Sequence, residues 1–204
     1  MTVTAPKPII DLSFPHRWRA EALQARPLIL PQRHFIYPRA AEEVERGALE
    51  VMVWPESEPN EGSDALAAQP FLATCALGFR DPAAPTGLWS APNSEEICAV
   101  AGGYAYLIGT MAPERFTMIA YRPVLQVLPA VESGLLLFVG HHSILAWGRK
   151  GQAWESEELS DEGVTITEVD CGVLLGLGWN MMSDEETPFT LDLRTGLMIP
   201  SALT

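Results

Sequence analysis

Two adjacent histidines, His141 and His142, form the only pair of imidazoles in the sequence and are candidates for catalytic chemistry. They follow an apolar run that ends at Gly140, so they fall at the end of a predicted strand. An imidazole there could act as a general base or as a ligand, with a carboxylate from Asp161–Glu162 or from Asp184–Glu186 as its partner. Neighbouring strand residues point to opposite faces, which argues against one metal ion binding both rings. The competing interpretation is a turn or packing role, and no metal or cofactor is predicted.

Tryptophan side chains are the second candidate, as a surface on which a ligand or a protein could stack. Trp147 and Trp154 flank the sequence Gly148-Arg149-Lys150-Gly151, whose two glycines favour a hairpin turn. A two-residue turn would pair Trp147 with Gln152 and Trp154 with Leu145, which places both indoles on one face. Exposed, they would form a binding patch; buried, they would belong to the core. The ligand-binding candidates are Trp147, Trp154 and Trp179.

Other familiar chemistry finds little support in the sequence. The three cysteines, Cys75, Cys98 and Cys171, form no C-x-x-C motif and predict buried free thiols in a reducing compartment. The carboxylates of residues 161–162 and 183–186 match no known calcium loop, which favours solvated turns. The glycine-rich stretches lack the residues and the following helix of a phosphate-binding loop.

Charge is distributed unevenly along the 204 residues, whose net charge is −13. Residues 1–46 hold seven basic and five acidic residues, whereas Arg194 is the only cation among the last 53 residues. An acidic surface repels phosphates, so nucleic-acid binding is not expected. The basic N-terminal arm could instead dock on its own acidic body or on a neighbouring subunit, and simple solubility is the alternative.

The elements that must position these residues are predicted to be strands. A frame of glycine, five mostly apolar residues and glycine begins at Gly103, Gly134 and Gly172, with spacings of 31 and 38 residues. Such spacing is typical of repeated supersecondary units. Short strand-like runs bounded by Gly, Pro, Asn or Asp fill the chain from residue 48 onward. The sequence therefore predicts a mainly β protein of repeated antiparallel meanders, either propeller-like or a two-sheet sandwich.

The N-terminal residues differ from this pattern. Prolines at positions 6, 8, 15, 27, 31 and 38 predict an irregular, proline-rich arm. A short helix is expected over residues 16–25, and a further helical turn over 40–46. We therefore expect an arm of residues 1–46 and a β-meander domain of residues 47–204, with a loop over 56–70.

From residue 71 onward the chain resembles a family of uncharacterised bacterial β-rich proteins. The resemblance lies in Leu72-Ala73-Thr74-Cys75, Pro85-Thr86-Gly87-Leu88-Trp89, Gly102-Gly103-Tyr104-Ala105-Tyr106 and Gly178-Trp179-Asn180. It implies a β-rich fold over residues 71–204, and it implies no activity.

These features favour a non-enzymatic interaction or scaffold protein that forms a homo-oligomer such as a dimer, or binds another protein. The absence of a signal sequence and of a long apolar run leads us to expect a cytoplasmic protein without a membrane span. One alternative is a small-molecule-binding protein or hydrolase-type enzyme with its site near His141 and His142. A second alternative is an acidic protein that masks a basic partner.

Overall fold

The computed structural model describes residues 7–39, 46–56, 68–79, 84–170 and 172–200. These ranges contain strands, turns and irregular segments but no helix, and so none that is long and apolar enough to cross a membrane. The prediction of a mainly β protein with antiparallel sheets is confirmed. The chain forms two compact units, Met1–Pro123 and Val124–Thr204. The division falls inside residues 47–204, which the sequence predicts to be one β-meander domain.

The described residues of the first unit form nine strands in two sheets. Sheet I has the order β1-β6-β7-β8-β9, and sheet II has the order β2-β4-β5-β3. All neighbours pair antiparallel except β1 with β6 and β3 with β5, which are parallel. The strands are β1 (Ile9–Asp11), β2 (Trp18–Leu23), β3 (His34–Tyr37), β4 (Ala48–Pro55), β5 (Phe71–Ala76), β6 (Gly87–Ser90), β7 (Glu96–Ala101), β8 (Tyr104–Gly109) and β9 (Phe116–Met118).

Alternate residues of both sheets form the core of this unit. Sheet II contributes Trp18, Val51 and Phe71, and sheet I contributes Ile97 and Tyr106. Two hydroxyl groups of this core are satisfied by carbonyl oxygens: Tyr106 donates to Ala76 O at 2.9 Å, and Tyr37 donates to Pro113 O at 2.6 Å. The strands thus bury an aromatic-rich interior without leaving these phenols unpaired.

The predicted helix over residues 16–25 is wrong, because this segment contains strand β2. Trp18, Ala20 and Ala22 lie against the core, while Arg19 and Glu21 between them are exposed. Alternation of buried and exposed residues is typical of a strand. The backbone N–H and C=O groups of β2 form hydrogen bonds with β4. The arm's prolines bound its strands. The predicted turn over 40–46 lies mostly outside the described residues, as do most of the predicted loop 56–70 and Cys171.

In the second unit, the part of the chain that the structure describes forms seven strands in two antiparallel sheets. Sheet III has the order β10-β11-β12-β13, and sheet IV has the order β14-β15-β16. Both contribute to one core, which includes Leu137, Ile144, Trp154, Leu174 and Phe189. The strands are β10 (Gln126–Ala130), β11 (Leu135–Val139), β12 (Ile144–Gly148), β13 (Gly151–Glu155), β14 (Val164–Asp170), β15 (Val173–Asn180) and β16 (Glu185–Asp192).

The three glycine-framed runs are strands β8, β11 and β15, each with a hydrogen-bonded neighbour on both sides. The first glycine of each frame, Gly103, Gly134 or Gly172, has a φ between 64° and 84° and lies in the turn before its strand. Gly178, which ends the third frame, is needed for a different reason. A Cβ atom there would lie 1.9 Å from Leu159 O, so only glycine permits this close backbone approach.

We expect Gly178→Ala to reduce the free energy of unfolding by about 2 kcal/mol or more, because the Leu159 backbone must move to admit the methyl group. Urea unfolding followed by tryptophan fluorescence measures this loss. The matched control is Gly148→Ala, whose Cβ would have its nearest neighbours at 3.7 Å. The control should change stability by no more than about 0.5 kcal/mol. Equal losses in the two variants would contradict the close-approach explanation.

Candidate functional site

The turn between β11 and β12 carries His141 and His142, and both side chains are exposed. Their ring centroids lie 6.0 Å apart with a 45° tilt. His142 Nδ1 lies 3.0 Å from Ser160 O and 3.8 Å from Glu158 Oε1. The Glu158 side chain is 70% exposed, so this charge contact is screened by water. The two rings thus take different positions, and His142 is the one oriented by a neighbour.

The acidic loop over residues 158–163 lies beside this turn. Leu159 N donates to His142 O, and Gly163 N donates to His141 O, so backbone bonds hold the two segments together. The Asp161 carboxylate is directed elsewhere, because its Oδ2 accepts a hydrogen bond from Met181 N at 2.7 Å. The structure therefore brings the predicted histidines and the acidic loop together. The Asp161 side chain, however, binds the backbone of the turn that begins at Met181.

The prediction that Trp147 and Trp154 share one face is wrong. Trp147 pairs with Gln152 as expected, but a β-bulge beside it makes Trp154 pair with Ala146. Ala153 is the extra residue of the bulge, and it moves Trp154 to the face opposite Trp147. Both indoles are buried, and Trp154 Nε1 donates to Leu193 O at 2.6 Å within the core.

Trp179 is the remaining predicted ligand-binding residue. It lies half-buried near the end of β15, opposite Glu186. Its backbone N–H donates to the buried Ser160 hydroxyl at 2.8 Å, which fixes the end of the strand. The three tryptophans therefore occupy separate environments and form no common patch.

Two cavities lie away from these residues. One, of about 320 Å³, is in the first unit along β3, with Phe35, Tyr37 and Phe116 among its lining residues. The other, of about 260 Å³, is in the second unit near the turn 131–133 and Gly172. Neither includes His141, His142 or Asp161. Among the described residues, no group of three or more His, Cys, Asp or Glu side chains is arranged to hold a metal ion.

A buried polar cluster on sheet II was not anticipated from the sequence. Glu50 on β4 and Thr74 on β5 are directly paired and point away from the core formed by their neighbours. Arg26 Nε binds Glu50 Oε1 at 2.9 Å, and Arg26 Nη2 donates to Thr74 Oγ1 at 3.1 Å. His34 on β3 completes the cluster, with Nε2 at 2.8 Å from Thr74 Oγ1.

The hydrogen bonds around Thr74 determine the proton position on His34. The Thr74 hydroxyl donates its one proton to Glu50 Oε2, so its oxygen can only accept from the other two neighbours. Arg26 is one donor and His34 Nε2–H is the other, which satisfies the hydroxyl completely. Thr74 is fully buried between a carboxylate and a guanidinium. This arrangement favours a structural role for its hydroxyl, which holds its neighbours in place, over a role as a nucleophile.

The pKa of His34 lies below its ordinary value of 6.5, principally because burial disfavours the charged ring. The Arg26 guanidinium lowers this pKa further, and Glu50 partly opposes it. A proton on His34 would place a second cation beside Arg26. The imidazole is therefore held neutral as a donor to Thr74.

The cluster lies beneath an unusual surface feature, residues 27–31, which we term the crossing segment. β2 and β3 are opposite edges of sheet II, and the chain between them passes over the outer face, where Arg26 binds Glu50 and Thr74. The segment has the sequence Pro-Leu-Ile-Leu-Pro. Leu28 and Ile29 have relative exposures of 104% and 89%, and Leu30 is also exposed. The one feature of the sequence that could have indicated this exposed segment is its run of three aliphatic residues between two prolines.

The described cysteines are structural. Cys75 and Cys98 are free and fully buried, and burial raises the pKa of each thiol well above its usual range. Both thiols therefore stay protonated and inert.

A scan against models of known protein families finds no match to this chain. A search of curated proteins likewise finds no significantly similar sequence. Functional inference consequently rests on the geometry of the residues described above.

We expect the stability of the protein to fall as the pH decreases from about 8 to about 5, partly because of His34. Its pKa is lower in the folded chain than in the unfolded one, so the unfolded state binds the proton more readily. The stabilisation is present above the ordinary value of 6.5 and is lost as the pH falls toward the folded-state pKa. His34→Gln keeps a donor for Thr74 but cannot titrate, so urea unfolding across this range should show a shallower loss.

The control for this experiment is His141→Gln, at an exposed turn position, which should retain the pH dependence of the unmodified chain. If His34→Gln showed the same pH dependence as the unmodified chain, the assigned role of His34 would be wrong.

Proposed function

We propose that the protein is a non-enzymatic, cytoplasmic protein-interaction protein that self-associates, and that its crossing segment is the contact surface. The observation that carries this proposal is the exposure of Leu28, Ile29 and Leu30 as a continuous aliphatic run. Burying one such side chain at an interface is worth about 1.5–3 kcal/mol, so three together supply a substantial driving force. Contiguous exposed apolar surface of this kind marks interaction sites.

The crossing segment is held in place at both ends, which supports the same proposal. Arg26, before it, binds Glu50 and Thr74, and Arg33, after it, donates to Gln69 O at 2.7 Å. Pro27 and Pro31 further restrict the backbone. A segment fixed before binding loses little conformational entropy on association, so more of its burial energy appears as affinity.

The surroundings of the histidine pair give the enzyme alternative less support. His141 and His142 are exposed, and the Asp161 carboxylate is bound to a backbone N–H rather than to an imidazole. A general base acts on a proton within hydrogen-bond reach, and a site that limits water strengthens its action. The crossing segment carries the stronger functional signal.

Self-association should weaken roughly tenfold or more when Leu28 and Ile29 are both replaced by aspartate, because each change removes apolar contact and adds a desolvation cost. Both side chains are exposed, so the Leu28→Asp, Ile29→Asp variant should fold normally. Light scattering after size exclusion, over a concentration series, gives the molar mass of each species.

The matched control is Val131→Asp, an exposed aliphatic residue in the turn between β10 and β11 of the other unit. We expect this variant to associate like the unmodified chain. A monomeric unmodified chain at every concentration would refute the proposed self-association, and an oligomer untouched by the double change would refute the role of the crossing segment.

A further inference from the structure

The face of sheet IV that is turned away from the core carries an exposed aliphatic stripe. Along β15, Leu174, Gly176 and Gly178 are buried, so the alternate residues point outward. Residues 197–199 continue this face, because Leu197 O and Ile199 N bond to the backbone of β16 beside Asp192 and Thr190. The outward aliphatic and aromatic side chains are Val173, Leu175, Leu177, Trp179, Leu197 and Ile199. We term this surface the outer face of sheet IV.

Carboxylates lie on both sides of this stripe. On β14, Glu168 is opposite Leu175 and Asp170 is opposite Val173. On β16, Glu186 is opposite Trp179 and Asp192 is opposite Val173. Neighbouring strands lie about 4.8 Å apart, so each carboxylate row is one strand away from the aliphatic stripe.

The second unit as a whole is negatively charged, like the two carboxylate rows on sheet IV. Residues 124–204 contain twelve acidic residues against three basic ones, Arg149, Lys150 and Arg194. A face of this composition favours a partner that combines apolar side chains with cations, and it repels an acidic one.

We infer that the outer face of sheet IV binds the crossing segment of a second copy of this chain, an inference that rests on the self-association proposed above. The two surfaces are complementary in composition. The segment presents Leu28, Ile29 and Leu30 between Arg26 and Arg33, and the face presents an aliphatic stripe between two rows of carboxylates. Part of the Arg26 side chain, 42%, is exposed while its guanidinium is bound to Glu50.

Apolar burial and charge have separate roles in this contact. The three aliphatic side chains of the segment cover Leu175, which is exposed, and its half-buried neighbours Val173 and Leu177. The arginines on either side of the segment orient it and increase the rate of encounter, an effect that salt screens. The contact joins unlike surfaces of two copies, so each copy contributes a segment and a face independently.

A mixing experiment with two full-length variants tests this pairing. Ile29→Asp disables the segment and leaves the face intact, whereas Leu175→Lys disables the face and leaves the segment intact. The new lysine lies opposite Glu168, which favours folding, and it repels the arginines of an incoming segment. Circular dichroism and urea unfolding of each variant establish that both are folded.

Each variant alone should associate at least roughly tenfold more weakly than the unmodified chain. When the two are mixed, the intact segment of Leu175→Lys should bind the intact face of Ile29→Asp. Sedimentation velocity, followed at the absorbance of a dye on one variant, should then detect a mixed complex that neither variant forms with itself. Higher salt should weaken it, and Val131→Glu should behave like the unmodified chain.

The outcomes separate this inference from the proposed function. If Leu175→Lys associates as strongly as the unmodified chain, or if the two weakened variants fail to complement each other, the outer face of sheet IV is not the partner of the segment. Self-association through the crossing segment would survive either result. A monomeric unmodified chain would overturn both.

Discussion

The first unit depends on backbone pairing between its N-terminal residues and strands that lie far along the chain. β2 and β3 form the two edges of sheet II, where they pair with β4 and β5. They also carry Trp18 and Tyr37, which are among the largest fully buried side chains. Because its two edges are consecutive strands, the chain between them must cross the sheet. The same pairing that completes the core therefore places an aliphatic segment on the surface.

Much of the strand pattern could be predicted from the sequence, because local signals determine it. The glycine frames located β8, β11 and β15, each of which has a hydrogen-bonded strand on both edges. Their apolar residues on both faces predicted a covering layer on each side, and the exposed Leu175 shows that one face of β15 is only partly covered. The N-terminal segment was harder to interpret. Its prolines predicted an irregular arm with a short helix over residues 16–25, although Trp18, Ala20 and Ala22 alternate as they do in the observed strand. The long-range pairing with β4 decides between them, and no local pattern reveals that partner.

The candidate sites, too, depend on long-range packing that local sequence patterns do not reveal. The predicted turn of the hairpin after Trp147 is confirmed. The extra residue Ala153, however, places Trp154 on the face opposite to the predicted one. A bulge of this kind leaves no reliable mark in a single sequence, because it depends on packing across the whole sheet. Glu50 and Thr74 likewise resemble ordinary outward-facing strand residues, and no local pattern shows that Arg26, well before them in the chain, binds both.

The buried Glu50 carboxylate positions the side chain of Arg26. Removing a carboxylate and a guanidinium from water costs free energy that their attraction only roughly repays, and apolar residues could stabilise sheet II as well. Stability alone therefore does not explain the cluster. Its geometric effect is specific, because Glu50 Oε1 and Thr74 Oγ1 bind one guanidinium and fix Arg26 next to Pro27. The Thr74 hydroxyl in turn donates to the other Glu50 oxygen, Oε2. The polar cluster thus fixes one end of the crossing segment, whose aliphatic side chains are exposed to solvent.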